Sequence, residues 1–511
     1  MPRIHDLLDQ LASSRPQHAL LLEPDTTTSA AALQAMSQAL AAEWAAAGVV
    51  AGDRVLLVAE NCAAHIAAIM ACSRLGAWSC GLNARLTAAE LAAFAAKADA
   101  RLACYTVAAS PDAARHAQAA GTQPSAAVPG LASSAVRAAS PATPQELAQE
   151  VAAIIFTSGT TGSPKGVLVS HRGLMHFAQV SSRSRGLTPQ DRIYACLPMS
   201  HIFGLATVLM AALAAGSSLV LRSRFEPDDL SHALAHLEVS NLLGPPTLFS
   251  RWLAHLQQAG VTQPHAPRLR YAYTGSAPMD MALKARVEAV LGLPLHHGYG
   301  LSEYAGSLIL TSLAPDGLPR KDQAVGFLAE GAELRIVDGQ GQDLPTGQAG
   351  EIWIRGPGLM PGYWRDAKAT AAVMRPGGWY ATGDLGRIDT ADGAVFIVGR
   401  LKEMIIRSGF NVYPAEVEAV LLGFGHIALA AVVGEPEADG NERVVAYVEM
   451  QAGHQLDEPA LQQHLSSRLA PYKRPARVVV LPAMPMTANG KLLKRGLRQA
   501  AEAAGITPDP R

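Results

Sequence analysis

The chain has 511 residues, too many for one hydrophobic core, and length alone calls for two to four domains or subdomains. Lys plus Arg total 42 against 43 Asp plus Glu, a net charge of −1, which argues against broad binding to nucleic acid or anionic membranes but leaves room for a local basic patch. The composition, 49% hydrophobic and 17% charged, is that of an ordinary soluble protein without a transmembrane span.

Met1 to Asp6 contain no apolar signal-peptide core. Leu33, Met36, Leu40 and Trp44 recur at helical spacing, with Gly48 placed to end that helix. Val55–Ala59 reads as a short buried strand, and a helix over 63–75 stops at Gly76. Strand, helix, strand with short punctuation is the pattern of a parallel sheet covered by helices. Residues 121–150, rich in Ala, Ser, Pro and Gly, read as a surface loop or linker. Val151–Phe156 predicts a strand, and the alanine-rich stretch 205–216 a buried helix. After residue 330 the pattern changes to alternating strands, at 333–338 and 350–355, joined by glycine turns. The last hundred residues predict an α+β unit, with helices over 414–422 and 459–469 and strands over 427–433, 444–449 and 477–481. Cys62, Cys72, Cys80, Cys104 and Cys196 are odd in number, lack C-x-x-C spacing and read as buried free thiols of a cytoplasmic protein.

The strongest local feature is Thr157-Ser158-Gly159-Thr160-Thr161-Gly162-Ser163-Pro164-Lys165-Gly166. Five hydroxyls, three glycines and a lysine follow a strand within ten residues. Glycines let backbone N–H groups approach an anion, hydroxyls donate hydrogen bonds and Lys165 adds charge, which together suit polyphosphate. The spacing is not that of the Walker loop. Composition alone equally fits a flexible surface turn.

Further segments follow in order. They are Leu197-Pro198-Met199-Ser200-His201-Ile202-Phe203-Gly204, Thr274-Gly275-Ser276-Ala277-Pro278, Tyr299-Gly300-Leu301-Ser302-Glu303, Thr382-Gly383-Asp384, Gly399-Arg400-Leu401-Lys402, Arg407-Ser408-Gly409-Phe410 and Asn489-Gly490-Lys491. Taken singly, each has a plain reading as a core histidine, a turn or a surface charge. Together with residues 157–166 they resemble the adenylate-forming superfamily of acyl-CoA synthetases, peptide-synthetase adenylation domains and luciferases. The resemblance covers nearly the whole chain and is closest to a bacterial carboxylate–CoA ligase.

That resemblance implies an α/β fold: a large N-terminal domain of helix-covered sheets (1–399) with a small β-rich subdomain (about 325–399), a hinge at 400–402 and a mobile α+β C-terminal domain (403–511). It implies ATP, Mg2+ and coenzyme A. ATP or AMP would meet Thr157, Ser158, Gly159, Thr160, Thr161, Gly162, Ser276, Ala277, Tyr299, Gly300, Ser302, Asp384 and Arg400. Asp384 would bind the ribose, whose paired hydroxyls suit a carboxylate. Glu303 would hold the magnesium, and Lys165, His201 and Lys491 would complete the catalytic group. His201, Phe203, Gly275 and Gly298 would form the acyl pocket, joined by Leu205, Ser276, Tyr304 and Ala305. Ser408 and Gly409 would line the coenzyme A tunnel, and Lys402 would be the hinge.

The expected activity is ATP-dependent ligation of a carboxylic acid to coenzyme A through an acyl-adenylate, releasing AMP and pyrophosphate. The mainly apolar or small pocket residues suit an aromatic or a medium to long aliphatic acid. The alternative is an enzyme that makes the same adenylate but loads a carrier-protein thiol. A non-catalytic nucleotide-binding protein is disfavoured by the presence of both Lys491 and Glu303. Among assemblies, a homodimer is compatible with this reading.

Overall fold

A computed structural model describes residues 2–138, 143–157, 164–277, 279–310, 323–407, 410–437, 442–451, 453–486 and 492–506. Two seven-stranded sheets dominate. The first runs Gln123–Pro124, Ala132–Ser133, Leu102–Tyr105, Arg54–Ala59, Trp78–Asn83, Val151–Thr157 and Lys165–Ser170. Its centre is parallel, and the edges at 123–124, 132–133 and 165–170 are antiparallel. The second runs Leu295–His297, Tyr271–Thr274, Asn241–Gly244, Arg192–Ala195, Ser218–Leu221, Ala19–Leu22 and Thr27–Ser29, parallel except for the last pair.

Strand Arg54–Ala59 is buried at every position, as its unbroken apolar run requires in a sheet covered on both faces. The helix Ala63–Leu75 is buried on nearly every side and ends at Gly76 in the left-handed conformation, φ +71°. Leu205–Gly216 is helical as expected, but its first part, Phe203–Met210, is a π-helix that passes into an α-turn, Ala211–Ala215. All eight residues of the π-helix are buried.

The reading of 121–150 as a loop needs correction. Short strands at 123–124 and 132–133 extend the first sheet, and Gln145–Glu150 is helical. Val128 and Leu131 are fully covered. Too few residues pair there for any period to register in the sequence.

A five-stranded sheet follows, built from Glu333–Val337, Gly350–Arg355, Trp379–Ile388, Met374–Arg375 and Val395–Arg400. Its Ile352 and Ile354 join the core shared by the two large sheets. The C-terminal unit has its own sheet of Ile427–Pro436, Glu442–Met450 and Arg477–Leu481. Val444, Ala446 and Val448 face one apolar cluster, while Val445 and Tyr447 face another, the two-residue period of a strand covered on both sides. The helix expected over 459–469 is shorter, Glu458–Ser466. The result is mixed α/β, a large N-terminal domain with a β-rich portion and a smaller α+β C-terminal domain. All five cysteines are free and buried.

Candidate active site

Strands Val151–Thr157 and Lys165–Ser170 pair antiparallel with Thr157 opposite Lys165. The pairing sets the two residues side by side at the facing ends of their strands. Ser158, Gly159, Thr160, Thr161 and Gly162 lie outside the described residues. Residues 360–364 dock along the second strand: Leu168 N donates to Gly362 O (3.1 Å) and Trp364 N to Gly166 O (2.7 Å). Tyr363 bridges to Val167 between them. This register carries the Tyr363 ring beneath Lys165, whose Nζ lies 4.6 Å from the ring centroid.

Glu303 sits on a single 3-10 turn, Ser302–Tyr304. Met360 N donates to Glu303 O (2.9 Å), and the Tyr363 hydroxyl donates to Glu303 Oε1 (2.9 Å). The Tyr380 hydroxyl lies 3.4 Å from that of Tyr363. Burial, reinforced by the nearby Glu303 charge, pushes both phenols well above their ordinary value. Lys165 and Glu303, 138 residues apart, are thus gathered around one tyrosine.

A second group centres on Asp384. The Tyr299 hydroxyl donates to its Oδ2 (2.5 Å), and Arg400 Nε lies 3.2 Å from its Oδ1. Asp384 and Arg400 are register partners on adjacent strands, which explains the match. Burial raises the Asp384 carboxyl above its ordinary value, opposed by the charge of Arg400 and the bond from Tyr299. Thr382 Oγ1 accepts from Asp384 N (3.0 Å) and donates to Ile352 O (2.8 Å), so the turn is braced from below.

The third group gathers around Tyr273. Phe203 meets it edge to face, with centroids 5.9 Å apart. A Cβ on Gly275 would lie 3.3 Å from the Tyr273 ring, and one on Gly298 would lie 2.2 Å from its hydroxyl. That hydroxyl is 3.1 Å from Ser307 Oγ. His201 Nδ1 accepts from Phe203 N (3.2 Å), which leaves the neutral ring's proton on Nε2. Gly204 permits the tight approach of this helix start, because a Cβ there would fall 2.2 Å from Pro198 O. Ser276 takes a positive φ of +70° and is exposed, Ala277 is half-buried, and Gly300 is exposed beside Gly306.

Tyr304 does not belong to this group. Its ring is buried against Gly356 and Gly358, where added Cβ atoms would fall within 3 Å of it, so it packs into the β-rich portion rather than lining a pocket. Ala305 packs by Gly173.

Lys402 lies exposed on a one-turn helix, Leu401–Glu403. The adjacent Glu403 accepts from Lys494 Nζ (2.7 Å), which also reaches Glu418 Oε1 (2.8 Å). Burial works against the Lys494 charge, but the two carboxylates outweigh it and raise its pKa. Ser408, Gly409 and Lys491 lie outside the described residues. A separate hollow of about 230 Å³ beside Arg335, Asp343 and Leu344 contains none of the residues above.

Sequence reasoning missed Tyr363, Tyr380, Tyr273, Ser307, Asn61 and Lys494. Asn61 binds the Leu197–Met199 segment at both ends of its amide. Tyr363, within Pro361-Gly362-Tyr363-Trp364, and Tyr380, just after Pro376-Gly377-Gly378, lie beside local turn signals.

Comparison with known proteins gives the class. Residues 8–364 match the AMP-binding enzyme family, and residues 416–491 match the AMP-binding enzyme C-terminal domain. The chain therefore belongs to the AMP-binding enzymes, the adenylate-forming ligases. It is 33% identical to a 4-coumarate–CoA ligase of Oryza sativa subsp. japonica, over 98% of this chain and 95% of that protein. It is 34% identical to an indoleacetate–CoA ligase of Aromatoleum aromaticum, over 97% and 98% respectively. ATP-bound MatB from Rhodopseudomonas palustris superposes with a TM-score of 0.85 at 28% identity, covering 99% of this chain and all of that one. Among the described residues no helix is long and apolar enough to cross a membrane.

Proposed function

We propose that this AMP-forming acid–thiol ligase, which uses ATP and coenzyme A, takes an aromatic carboxylic acid as its acyl substrate. The observation that carries the reading is the wall of Phe203 against Tyr273, with the Tyr273–Ser307 hydroxyl pair as its polar contact. Flat aromatic rings and small glycines suit a planar acid more than a flexible chain. The aromatic acids named for the 4-coumarate and indoleacetate relatives agree with it.

The chemistry has two stages. An oxygen of the carboxylate attacks the α-phosphorus of ATP, the bond to pyrophosphate breaks and an acyl-adenylate forms. The sulfur of coenzyme A then attacks the acyl carbon, AMP departs and the thiol proton passes to solvent. Lys165 neutralises phosphate charge in the first stage, and Lys491 stabilises the pentavalent phosphorus and orients the carboxylate. Thr157, Ser158, Gly159, Thr160, Thr161 and Gly162 cradle the phosphates. Tyr299 and Gly300 flank the adenine with Ser276 and Ala277, and Ser302 reaches the α-phosphate. Asp384 and Arg400 hold the ribose, each Asp384 oxygen keeping a second lone pair for a sugar hydroxyl.

Glu303 fits a magnesium ion, since one carboxylate oxygen is engaged by Tyr363 and the other suits a hard cation that takes its remaining ligands from phosphate and water. When bound, the ion neutralises phosphate charge. His201 presents Nε2–H toward acyl-side chemistry, and Ser408 and Gly409 admit the pantetheine arm. Residues 1–399 and 403–511 act as two bodies about the hinge 400–402, with Lys402 as the hinge residue. Cytoplasmic location and a homodimer complete the reading.

The test is AMP and thioester formation from ATP, magnesium and coenzyme A across acids from acetate to palmitate, with benzoates, cinnamates, indoleacetate and malonate. Thioester from aromatic acids alone supports the proposal. Preference for aliphatic acids overturns the substrate class. Adenylate without thioester shifts the reading to a carrier-protein or other acceptor.

A further inference from the structure

Lys165 and Glu303 carry opposite charges on neighbouring elements, yet no direct ion pair joins them among the described contacts. The Tyr363 side chain stands in place of one. Its ring face takes the Lys165 ammonium at 4.6 Å, and its hydroxyl donates to Glu303 Oε1 at 2.9 Å. A direct lysine–glutamate ion pair would turn the two groups toward each other rather than toward phosphate and cation. A phenol satisfies each without quenching either, because a ring face attracts a cation weakly and one hydrogen bond occupies a single carboxylate oxygen.

The tyrosine is itself rigidly placed. Tyr363 N donates to Thr370 Oγ1 (3.0 Å), and its backbone is clamped to the Lys165 strand by the bonds of Gly362 and Trp364. Gly362 takes φ +155° against Thr370, a conformation suited to glycine. Trp364 packs edge-on against Trp78 at 5.1 Å, anchoring the segment in the first sheet. Tyr380, 3.4 Å from the Tyr363 hydroxyl, backs it from the β-rich sheet. The same strand therefore sets the height of the lysine and of the ring beneath it.

We propose that Tyr363 is a positioning residue that holds Lys165 and Glu303 apart and aimed, the ring serving the lysine and the hydroxyl serving the carboxylate. The inference rests on the ligase reading above. The two functions separate in two substitutions. Tyr363→Phe keeps the ring and removes the hydroxyl, whereas Tyr363→Leu removes both.

The experiment is calorimetric titration of the full chain with ATP, with and without magnesium, alongside thermal melting. In the unsubstituted protein magnesium tightens ATP binding. Tyr363→Phe shrinks that magnesium-dependent gain about tenfold, the scale of one hydrogen bond to a charged group. Its magnesium-free binding and melting temperature stay close to the parent. Tyr363→Leu weakens magnesium-free binding as well. Glu303→Gln placed on Tyr363→Phe adds less than it does alone, because the two share one interaction. Equal losses with and without magnesium in Tyr363→Phe, or no loss in either, overturn the proposal. Failure of the unsubstituted protein to bind ATP at all overturns the ligase reading itself.

Discussion

Asn61 holds Met199: its Oδ1 accepts from Met199 N at 3.0 Å while its Nδ2 donates to Leu197 O at 2.8 Å. Asn61 follows a strand of the first sheet, and Leu197 follows a strand of the second, so one buried amide ties the two sheets where the His201 segment begins. Gly81 allows the same approach, since a Cβ there would fall 2.8 Å from Ser200 Cα. Asn61→Ala strands a buried carbonyl and a buried N–H, at a cost of about 1–3 kcal/mol. The expected kinetic result is a raised KM for the acid with little change for ATP. Denaturant melts and steady-state rates check it, and equal rises in both KM values count against the assignment.

Gly298 leaves no room for a side chain beside Tyr273. Gly298→Ala drives a methyl into the Tyr273 hydroxyl and toward Ile309 O, at 2.2 and 2.9 Å. Overpacking of this kind costs about 1–3 kcal/mol. Tyr273→Phe removes the nearer obstacle, so the double variant should recover part of the lost stability and acid turnover. Simple addition of the two single effects would show that the clash is relieved elsewhere.

Asp384 gives a pH signature. Burial holds the folded carboxyl above its ordinary value of 3.8, so just above that value the folded chain binds more protons than the unfolded chain. Its contribution therefore falls as pH rises through that window. Asp384→Asn abolishes this component, and the melting temperature of the variant should decline less across the window than that of the parent. ATP affinity should drop about tenfold or more from the lost charged acceptor. A steeper decline in the variant would contradict the assigned sign.

Lys491→Ala should lower adenylation by about 10²–10³, the effect of removing one charged stabiliser of a transition state. Thioester formation from supplied acyl-adenylate should persist. Pyrophosphate exchange and single-turnover thiolysis separate the two stages, and normal exchange in the variant would remove Lys491 from the first.

The cysteines should be silent toward thiol reagents. Burial pushes Cys62, Cys80, Cys104 and Cys196 up to about 12, and raises Cys72 well above its ordinary value too. Thiolate is the reactive form, so native protein should label negligibly and urea-unfolded protein at all five sites. Mass spectrometry before and after unfolding reads this directly.

Most secondary structure was legible where a period and a stop signal coincide, as in the helix that Gly76 ends. The segment 121–150 was not, because two-residue strands leave no period while Val128 and Leu131 still bury. Local motifs put Lys165, Glu303, Asp384 and Arg400 on the page as candidates. What sequence could not show was their bracing. Tyr363 lies 60 residues from Glu303, Asn61 lies 138 from Met199, and each bond depends on a register fixed only by folding. Tyr304 departs from its expected place near the acyl pocket: it ends the 3-10 turn Ser302–Tyr304 with its ring buried against Gly356 and Gly358.

The π-helix at Phe203–Met210 carries slack in its length. A π-helix closes its hydrogen bonds one residue further along than an α-helix, so each of its turns holds more residues. Here the surplus lies between the His201 segment and the fixed stop at Gly216. Deleting one residue of that stretch should return it to α-helical geometry while the Gly216 stop keeps its place.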